Sequence, residues 1–381
     1  PHIVMNGNEA IAMGAQASGM DFMAMYPITP ATSVSHHLGE TFLNYGGLLH
    51  QAEDEIAAAG VAIGASWAGK CAFTVTSGPG LALKTEFLGL AVMTETPLVV
   101  VDVQRGGPST GLPTKVEQSD LMMALHGRHG EAPLPVIAPA SPSDAFEVAM
   151  EAARIALKYM TPVILLSDGY LANSAEPWRI PDFDALPEFD ISYTTEPNGP
   201  DGSFLPYARN EVTGARPWAI PGTPGLEHRV GGLEKEALTG DVSYDPDNHE
   251  LMTLARAAKI AGIADDIPEL EVEGPDDAKV LVVSWGSTYG AVRAGVINAT
   301  KEGTPTAHVH IRYLNPLPRN LGQILKSYDK VLVPELNTGQ LASIIRSAYL
   351  VPTATLNKVQ GAPFMAHEIT KKIIDMIEDP S

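Results

Sequence analysis

Cysteine is almost absent from this sequence. Cys71 is the one cysteine among 381 residues, so no disulfide can close within the chain and no four-cysteine cluster can be built from it. Positive charge is also scarce. Twenty-five Lys and Arg face 45 Asp and Glu, a formal net charge of −20, and a surface of that sign repels nucleic acid and anionic membranes. No apolar run approaches the ~20 residues of a membrane span. The start, Pro1-His2-Ile3-Val4, lacks the basic and apolar stretches of a signal peptide, so a cytoplasmic location is expected. Hydrophobic residues nevertheless reach 45%, which excludes a disordered chain and supplies a sizeable core.

Several catalytic signatures are missing as well. There is no Gly-x-Ser-x-Gly elbow. His308 and His310 alternate on one face of an expected strand, but no partner stands at metal-ligand spacing, and neither His36-His37 nor His126 with His129 supplies one. No metal site is expected on this chain.

What is present is a repeating α/β pattern. Phe73–Thr76, Leu98–Val103 and Pro162–Ser167 read as strands. Ile56–Ala68, Gly80–Met93 and Ser141–Leu157 read as helices, the last opened by Ser-Pro-Ser-Asp capping chemistry. Strands flanked by helices at this spacing imply parallel sheets covered on both faces. From about Pro181 to Asn248 the chain is rich in Pro, Gly, Asp and Asn without lasting period, which is too long for an ordinary loop. Phe204, Tyr207, Trp218 and Tyr244 within it argue for an ordered excursion. After a helix near His249–Ala261, a second α/β pattern runs from strand Val280–Ser284 to a C-terminal helix Ala366–Ile377. The expected fold is therefore α/β with two doubly wound, open parallel-sheet domains, residues 1–195 and 275–381, joined by an irregular segment and connecting helix over 196–274.

Four segments stand out. In Tyr26-Pro27-Ile28-Thr29-Pro30, two prolines bracket a threonine; proline stiffens its surroundings, so Thr29 is presented rigidly at a strand end or sits near a helix N-cap with Pro30 at the first turn. In Glu53-Asp54-Glu55, three acids precede a small-residue helix. Acids suit a helix N-terminus, but Glu55 lies nearest the apolar helix and is the one drawn from water, an ingredient of acid–base chemistry. Thr76-Ser77-Gly78-Pro79-Gly80 links a strand to a helix and can bring backbone N–H groups to a ligand, though it is neither a P-loop nor a complete dinucleotide fingerprint. In Arg105-Gly106-Gly107-Pro108-Ser109-Thr110-Gly111, an arginine beside glycines ends a strand; it suits a bidentate carboxylate contact or a surface salt bridge.

Taken in order with Gly7-Asn8-Glu9-Ala10, Trp285-Gly286-Ser287-Thr288-Tyr289-Gly290 and Pro334-Glu335-Leu336-Asn337-Thr338-Gly339-Gln340, these segments resemble the α subunit of 2-oxoacid:ferredoxin oxidoreductases, most of all the 2-oxoglutarate branch. The resemblance implies a thiamine pyrimidine-binding domain followed by a transketolase-C-terminal-like domain. It implies that Glu55 hydrogen-bonds the aminopyrimidine of thiamine diphosphate and favours its imino tautomer, with Pro27, Ile28, Ser77 and Gly78 beside the cofactor. It places Thr29 and Arg105 at the reacting substrate, with Ser109 and Thr110 near it. Thiamine enzymes hold the diphosphate through Mg²⁺ on a Gly-Asp-Gly segment, and Gly240-Asp241-Val242 fails at its third residue. Mg²⁺ and the [4Fe-4S] cluster are thus expected on a β-type partner subunit. A γ domain or subunit, ferredoxin, a 2-oxoacid and coenzyme A complete the implied partners. A pyruvate, branched-chain or aryl 2-oxoacid enzyme, an E1 or transketolase-like subunit, and a non-catalytic α/β scaffold are the competing readings.

Overall fold

Leu98–Gln104 and Pro162–Asp168 are buried at every residue and pair in parallel over their full length, as apolar runs covered on both faces must. They form the centre of the first sheet in a computed structural model that describes residues 1–189 and 191–378. In chain order its elements are β1 (His2–Asn6), α1 (Gly7–Ala17), β2 (Phe22–Met25), α2 (Thr32–Thr41), β3 (Leu48–Gln51), α3 (Glu55–Trp67), β4 (Ala72–Thr76), α4 (Gly78–Leu83), α5 (Thr85–Thr94), β5 (Leu98–Gln104), α6 (Leu121–His126), β6 (Val136–Ile137), α7 (Asp144–Tyr159), β7 (Pro162–Asp168), α8 (Gly169–Asn173) and β8 (Ala175–Arg179). The second half adds α9 (Pro246–Gly262), β9 (Val280–Trp285), α10 (Tyr289–Lys301), β10 (Thr306–Ile311), β11 (Tyr313–Asn315), α11 (Leu321–Lys326), β12 (Lys330–Glu335), α12 (Gln340–Tyr349), β13 (Ala354–Asn357) and α13 (Ala366–Glu378).

The first sheet has the order β11-β6-β7-β5-β4-β2-β3, and the second β10-β9-β12-β13. All pairings are parallel except β11 against β6; β1 and β8 form a separate antiparallel ribbon. The α/β reading holds. Between Leu186 and Asp245 no helix or strand forms among the described residues, yet Phe204, Tyr207 and Trp218 are buried there, as an ordered excursion requires. Tyr244 is 88% exposed and does not belong to that buried set.

Three local expectations need correction. The span Gly80–Met93 is two helices, α4 and α5, broken at Lys84, whose buried ammonium turns back to donate to the Glu55 carbonyl at 2.8 Å. In the Ser-Pro-Ser-Asp stretch the N-cap Ser143 makes no side-chain cap bond and Ser141 Oγ accepts the Asp144 N–H only at 3.4 Å; Ser141 Oγ and Ser143 Oγ donate instead to Glu176 at 2.6 and 2.5 Å. Tyr313–Asn315, expected within the C-terminal unit, is the edge strand of the first sheet. One apolar core accordingly spans both halves, joining Leu88, Val100 and Ile164 to Trp285, Val309 and Leu341.

Helix α1 lies against α7 because Gly14 presents no side chain: a Cβ there would stand 2.3 Å from the Phe146 carbonyl oxygen and 2.9 Å from Ala149 Cβ. Gly14→Ala is expected to lower the unfolding free energy by about 1–3 kcal/mol by overpacking. Gly39→Ala, where a Cβ would meet nothing within 4 Å, is expected to be neutral or to add about 0.5–1 kcal/mol. Chemical denaturation of the two variants checks the pair.

Candidate functional site

The loops that follow β2, β3, β4 and β5 emerge at the carboxyl edge of one parallel sheet, where α/β folds bind ligands. Thr29 follows β2, Glu55 follows β3, Ser77 follows β4 and Arg105 follows β5. These strands are neighbours in the order β5-β4-β2-β3, so four segments far apart in sequence converge.

Glu55 is the first residue of α3, and the helix is capped by Asp54, whose carboxylate accepts the Ala57 N–H at 2.7 Å. Glu53 is exposed and Glu55 is 7% exposed, the distinction expected from its place against the apolar helix. The Glu55 carboxylate accepts no hydrogen bond from the described residues. It packs over Gly80, where a Cβ would lie 2.7 Å from Glu55 Cγ and 2.0 Å from Thr76 Oγ1. Beneath it Lys84 is fully buried, and burial lowers its ammonium to about 8, partly offset by Glu55 and Asp54. Nothing local in the sequence marks Lys84 as buried.

Thr29 is exposed, and its backbone is clamped from two directions. Arg105 Nη1 donates to the Thr29 carbonyl at 2.8 Å. Asn8 Nδ2 donates to the Pro30 carbonyl at 2.8 Å and to Ser33 Oγ at 2.7 Å. Helix α2 begins only at Thr32 and its N-cap, Ala31, offers no side-chain bond, so the capping reading of Thr29 fails. Asn8 was legible as part of a motif, but its contact with a loop 22 residues away was not.

Arg105 is 8% exposed and forms no salt bridge among the described residues, which removes the surface ion-pair reading. Its Nε has no partner and Nη1 is committed to Thr29, leaving the Nε–Nη2 edge of the guanidinium as an open fork of the kind that binds carboxylates. Ser109 and Thr110 are exposed beyond the glycines, Ser109 with φ 58°, and no hydrogen bond among the described residues brings them to Arg105. Pro27 is exposed and Ile28 half-buried. Ser77 and Gly78 are buried at the start of α4, and Ser77 Oγ has no partner.

One feature of the edge gave no sequence signal. Asp102, on β5, is fully buried and neither of its oxygens meets a donor. Burial raises its carboxyl well above the ordinary range, reinforced by Asp120. Burial likewise pushes Asp120 up to about 6. The two carboxyl groups face one another, so their contact is a hydrogen bond only while one holds a proton. Asp120 also closes against Gly78, where a Cβ would lie 2.7 Å from Oδ2. Nearby, residues 118–122 join the second sheet: Gln118 Nε2 donates to the Trp285 carbonyl at 2.9 Å, Gln118 Oε1 accepts the Leu336 N–H at 3.1 Å, and Gln340 accepts the Met122 N–H at 2.9 Å. Glu335, fully buried, accepts from the Leu341 N–H at 2.8 Å and Trp285 Nε1 at 3.2 Å. The Trp285 and Pro334–Gln340 segments therefore hold the second sheet to the loop behind Arg105.

A carboxyl raised by folding stabilises the fold below its unfolded pKa, and that stability is lost as pH rises through the folded value. The aspartate pair is thus expected to weaken the fold from about pH 4 upward through about 6. Asp102→Asn substitutes a permanent donor for the shared proton, so its stability relative to wild type should grow from about pH 4 upward for as long as the folded wild type holds that proton. Denaturation midpoints against pH check this; a difference independent of pH would refute proton sharing.

Residues 13–242 match the family model described as pyruvate flavodoxin/ferredoxin oxidoreductase, thiamine diphosphate-binding. The chain is 53% identical over 375 residues to the 2-oxoglutarate oxidoreductase subunit KorA of Mycobacterium tuberculosis, covering 97% of this chain and 56% of that one. It is 35% identical over 375 residues to the 2-oxoglutarate synthase subunit KorA of Methanothermobacter marburgensis, covering 98% of each. Among solved structures, the 2-oxoglutarate:ferredoxin oxidoreductase from Magnetococcus marinus with 2-oxoglutarate, coenzyme A and succinyl-CoA bound is 40% identical, with a TM-score of 0.93 over 99% of this chain and 65% of that chain. The chain thus spans little more than half the length of the Mycobacterium relative and about two thirds of the Magnetococcus chain. It belongs to the thiamine diphosphate-binding 2-oxoacid:ferredoxin oxidoreductase family and aligns along nearly its whole length with subunits of the KorA type.

Proposed function

We propose that this chain is the α part of a coenzyme A-dependent 2-oxoglutarate:ferredoxin oxidoreductase, which decarboxylates 2-oxoglutarate to succinyl-CoA and CO₂ and reduces ferredoxin. The observation that carries the reading is the Glu55 carboxylate, buried at the carboxyl edge of the sheet and accepting no hydrogen bond from the described residues. The 2-oxoglutarate-specific names of the relatives support the choice of substrate.

The residues present fit a thiamine ring. Glu55 offers an uncommitted carboxylate, Gly80 lets that side chain pack without a clash, and Ser77 Oγ is buried without a partner among the described residues. When bound, thiamine diphosphate supplies the carbanion-stabilising chemistry that 2-oxoacid decarboxylation requires. Glu55 would hold a proton against the pyrimidine ring nitrogen. The open edge of Arg105 takes the substrate's C1 carboxylate in two parallel hydrogen bonds. Thr29, its carbonyl and that of Pro30 already bound, keeps its hydroxyl free to donate to the 2-oxo oxygen as negative charge develops there.

The chain has one cysteine and no Gly-Asp-Gly segment, so a β-type subunit is assigned the Mg²⁺, the diphosphate and the [4Fe-4S] cluster. Large apolar side chains next to the Glu55 elements are exposed: Tyr26 37%, Leu48 49%, Ile56 43% and Leu83 49%. Such a patch, on and beside the edge strand β3, suits a partner that closes over the cofactor.

The test is ferredoxin reduction by the native complex over a panel of 2-oxoacids. 2-Oxoglutarate is expected to give the highest kcat/KM. Glu55→Gln should cut turnover by on the order of 10²–10⁴-fold with the fold intact, whereas Glu53→Gln should be mild. Preference for pyruvate would refute the substrate, and a near-normal Glu55→Gln enzyme would refute the role of Glu55. In the same assay Arg105→Lys, which keeps charge but loses the fork, should chiefly raise KM. Thr29→Val should lower kcat more than it raises KM. Wild-type constants in both would remove these residues from the substrate site.

A further inference from the structure

A second polar cavity lies at the opposite edge of the first sheet. It is a cleft of about 730 Å³ between the C-terminal turn of α7 and the irregular excursion, lined by Arg154, Lys158, Arg209, Arg216 and Trp218 and by one acid, Glu188, among others. Its floor is built on Glu95, at the C-terminus of α5 and just ahead of β5. The Glu55 and Arg105 loops leave the sheet at the far ends of its strands. The seven residues of β5, at about 3.3 Å each, separate the two sites by roughly 20 Å.

The charges at this floor do not balance. Glu95 is 1% exposed, and both its oxygens are taken, one by Arg209 and the other by Lys259 Nζ at 2.6 Å. Arg216, 2% exposed, has no carboxylate partner among the described residues. Its Nε donates to the Thr94 and Glu95 carbonyls at 2.9 and 3.0 Å, and its Nη1 to the Pro217 carbonyl at 3.0 Å. Three cations, two of them buried, thus share one carboxylate among the described residues. Burial lowers the guanidinium of Arg216, and Arg209 repels it further. The Tyr207 ring, 5.8 Å from the Arg216 guanidinium carbon, offsets only part of that charge.

Three donors on residues lining the cleft are buried without an acceptor among the described residues: Arg209 Nε, Arg216 Nη2 and Trp218 Nε1. A buried donor left unpaired is costly, and a buried charge left unpaired more so. Two guanidinium edges and an indole N–H want several acceptor oxygens and negative charge from the same ligand. A phosphate group meets both demands. Arg154 and Lys158 at the cleft are already neutralised by Glu151 and Asp266, so they contribute little to the site. We infer that this cleft is a binding site for a phosphate group, held by Arg209, Arg216 and Trp218, and distinct from the site at the carboxyl edge of the sheet.

The assignment is tested on the purified protein, with whatever subunits accompany it. Inorganic phosphate and, separately, ADP are titrated at an ionic strength held constant with chloride, while tryptophan fluorescence and the melting temperature are followed. A saturable response with a midpoint at or below about 1 mM is expected, accompanied by a rise in Tm. Arg209→Gln, at a partly exposed position, and Arg216→Lys, which keeps the charge, should each raise that midpoint at least about tenfold. Trp218→Phe should suppress the fluorescence change. Saturation by phosphate identifies a free oxyanion as sufficient. Saturation by ADP alone, lost in Arg209→Gln, identifies the phosphate of a larger molecule. If neither saturates beyond the chloride control, or if Arg209→Gln binds as wild type does, the assignment is wrong.

Discussion

Strand β5 is hydrogen-bonded on both sides, to β4 and to β7, and all seven of its residues are buried. In a dry interior its backbone groups have no substitute for those partners, and a one-residue slip would turn every inward side chain to the other face. The pairings Thr76 with Asp102 and Gln104 with Asp168 therefore fix where the loops after β4, β5 and β7 begin. Arg105 emerges at one end of this strand and Glu95 precedes the other, so the same rigid element sets the position of both polar sites.

At the carboxyl edge the positioning is done largely through backbone carbonyls. Arg105 and Asn8 grip the consecutive carbonyls of Thr29 and Pro30, and Lys84 grips that of Glu55. Each of these bonds uses a backbone acceptor and leaves the side chains of Thr29 and Glu55 uncommitted. Glycines complete the arrangement by absence: Gly80 makes room for Glu55 and Thr76, and Gly78 for Asp120. A methyl group at either would collide with the acid it now faces.

The second sheet bears on the site indirectly. Gln118 Oε1 accepts the Leu336 N–H, Gln340 Nε2 donates to the Ser119 carbonyl, and Asn337 Nδ2 donates to the Gln118 carbonyl at 2.8 Å. These groups are buried, so each must be satisfied by the other half of the molecule. The loop from Arg105 to Asp120 is thereby anchored at its far end, and β11 adds a strand from the second half to the first sheet. The two sheets are joined by polar contacts as well as by their common core.

Periodicity and residue chemistry determined, without coordinates, the central strands, most helices, the long irregular excursion and the difference between Glu53 and Glu55. These are local properties: β-branched runs pair as strands, and an acid abutting a small-residue helix is the one drawn into the interior. Short strands such as Phe22–Met25 and the edge strand Leu48–Gln51 carry too little pattern to be read. The serines ahead of α7 looked like caps until Glu176, on another strand, offered a stronger acceptor. Tertiary structure alone decided the rest. It set Asp102 against Asp120 and Lys84 beneath Glu55, and it brought Arg209, Arg216 and Trp218 to a cleft shared with α7. Each of these depends on burial and on partners distant in sequence, and a side chain's own neighbours along the chain do not say whether water will reach it.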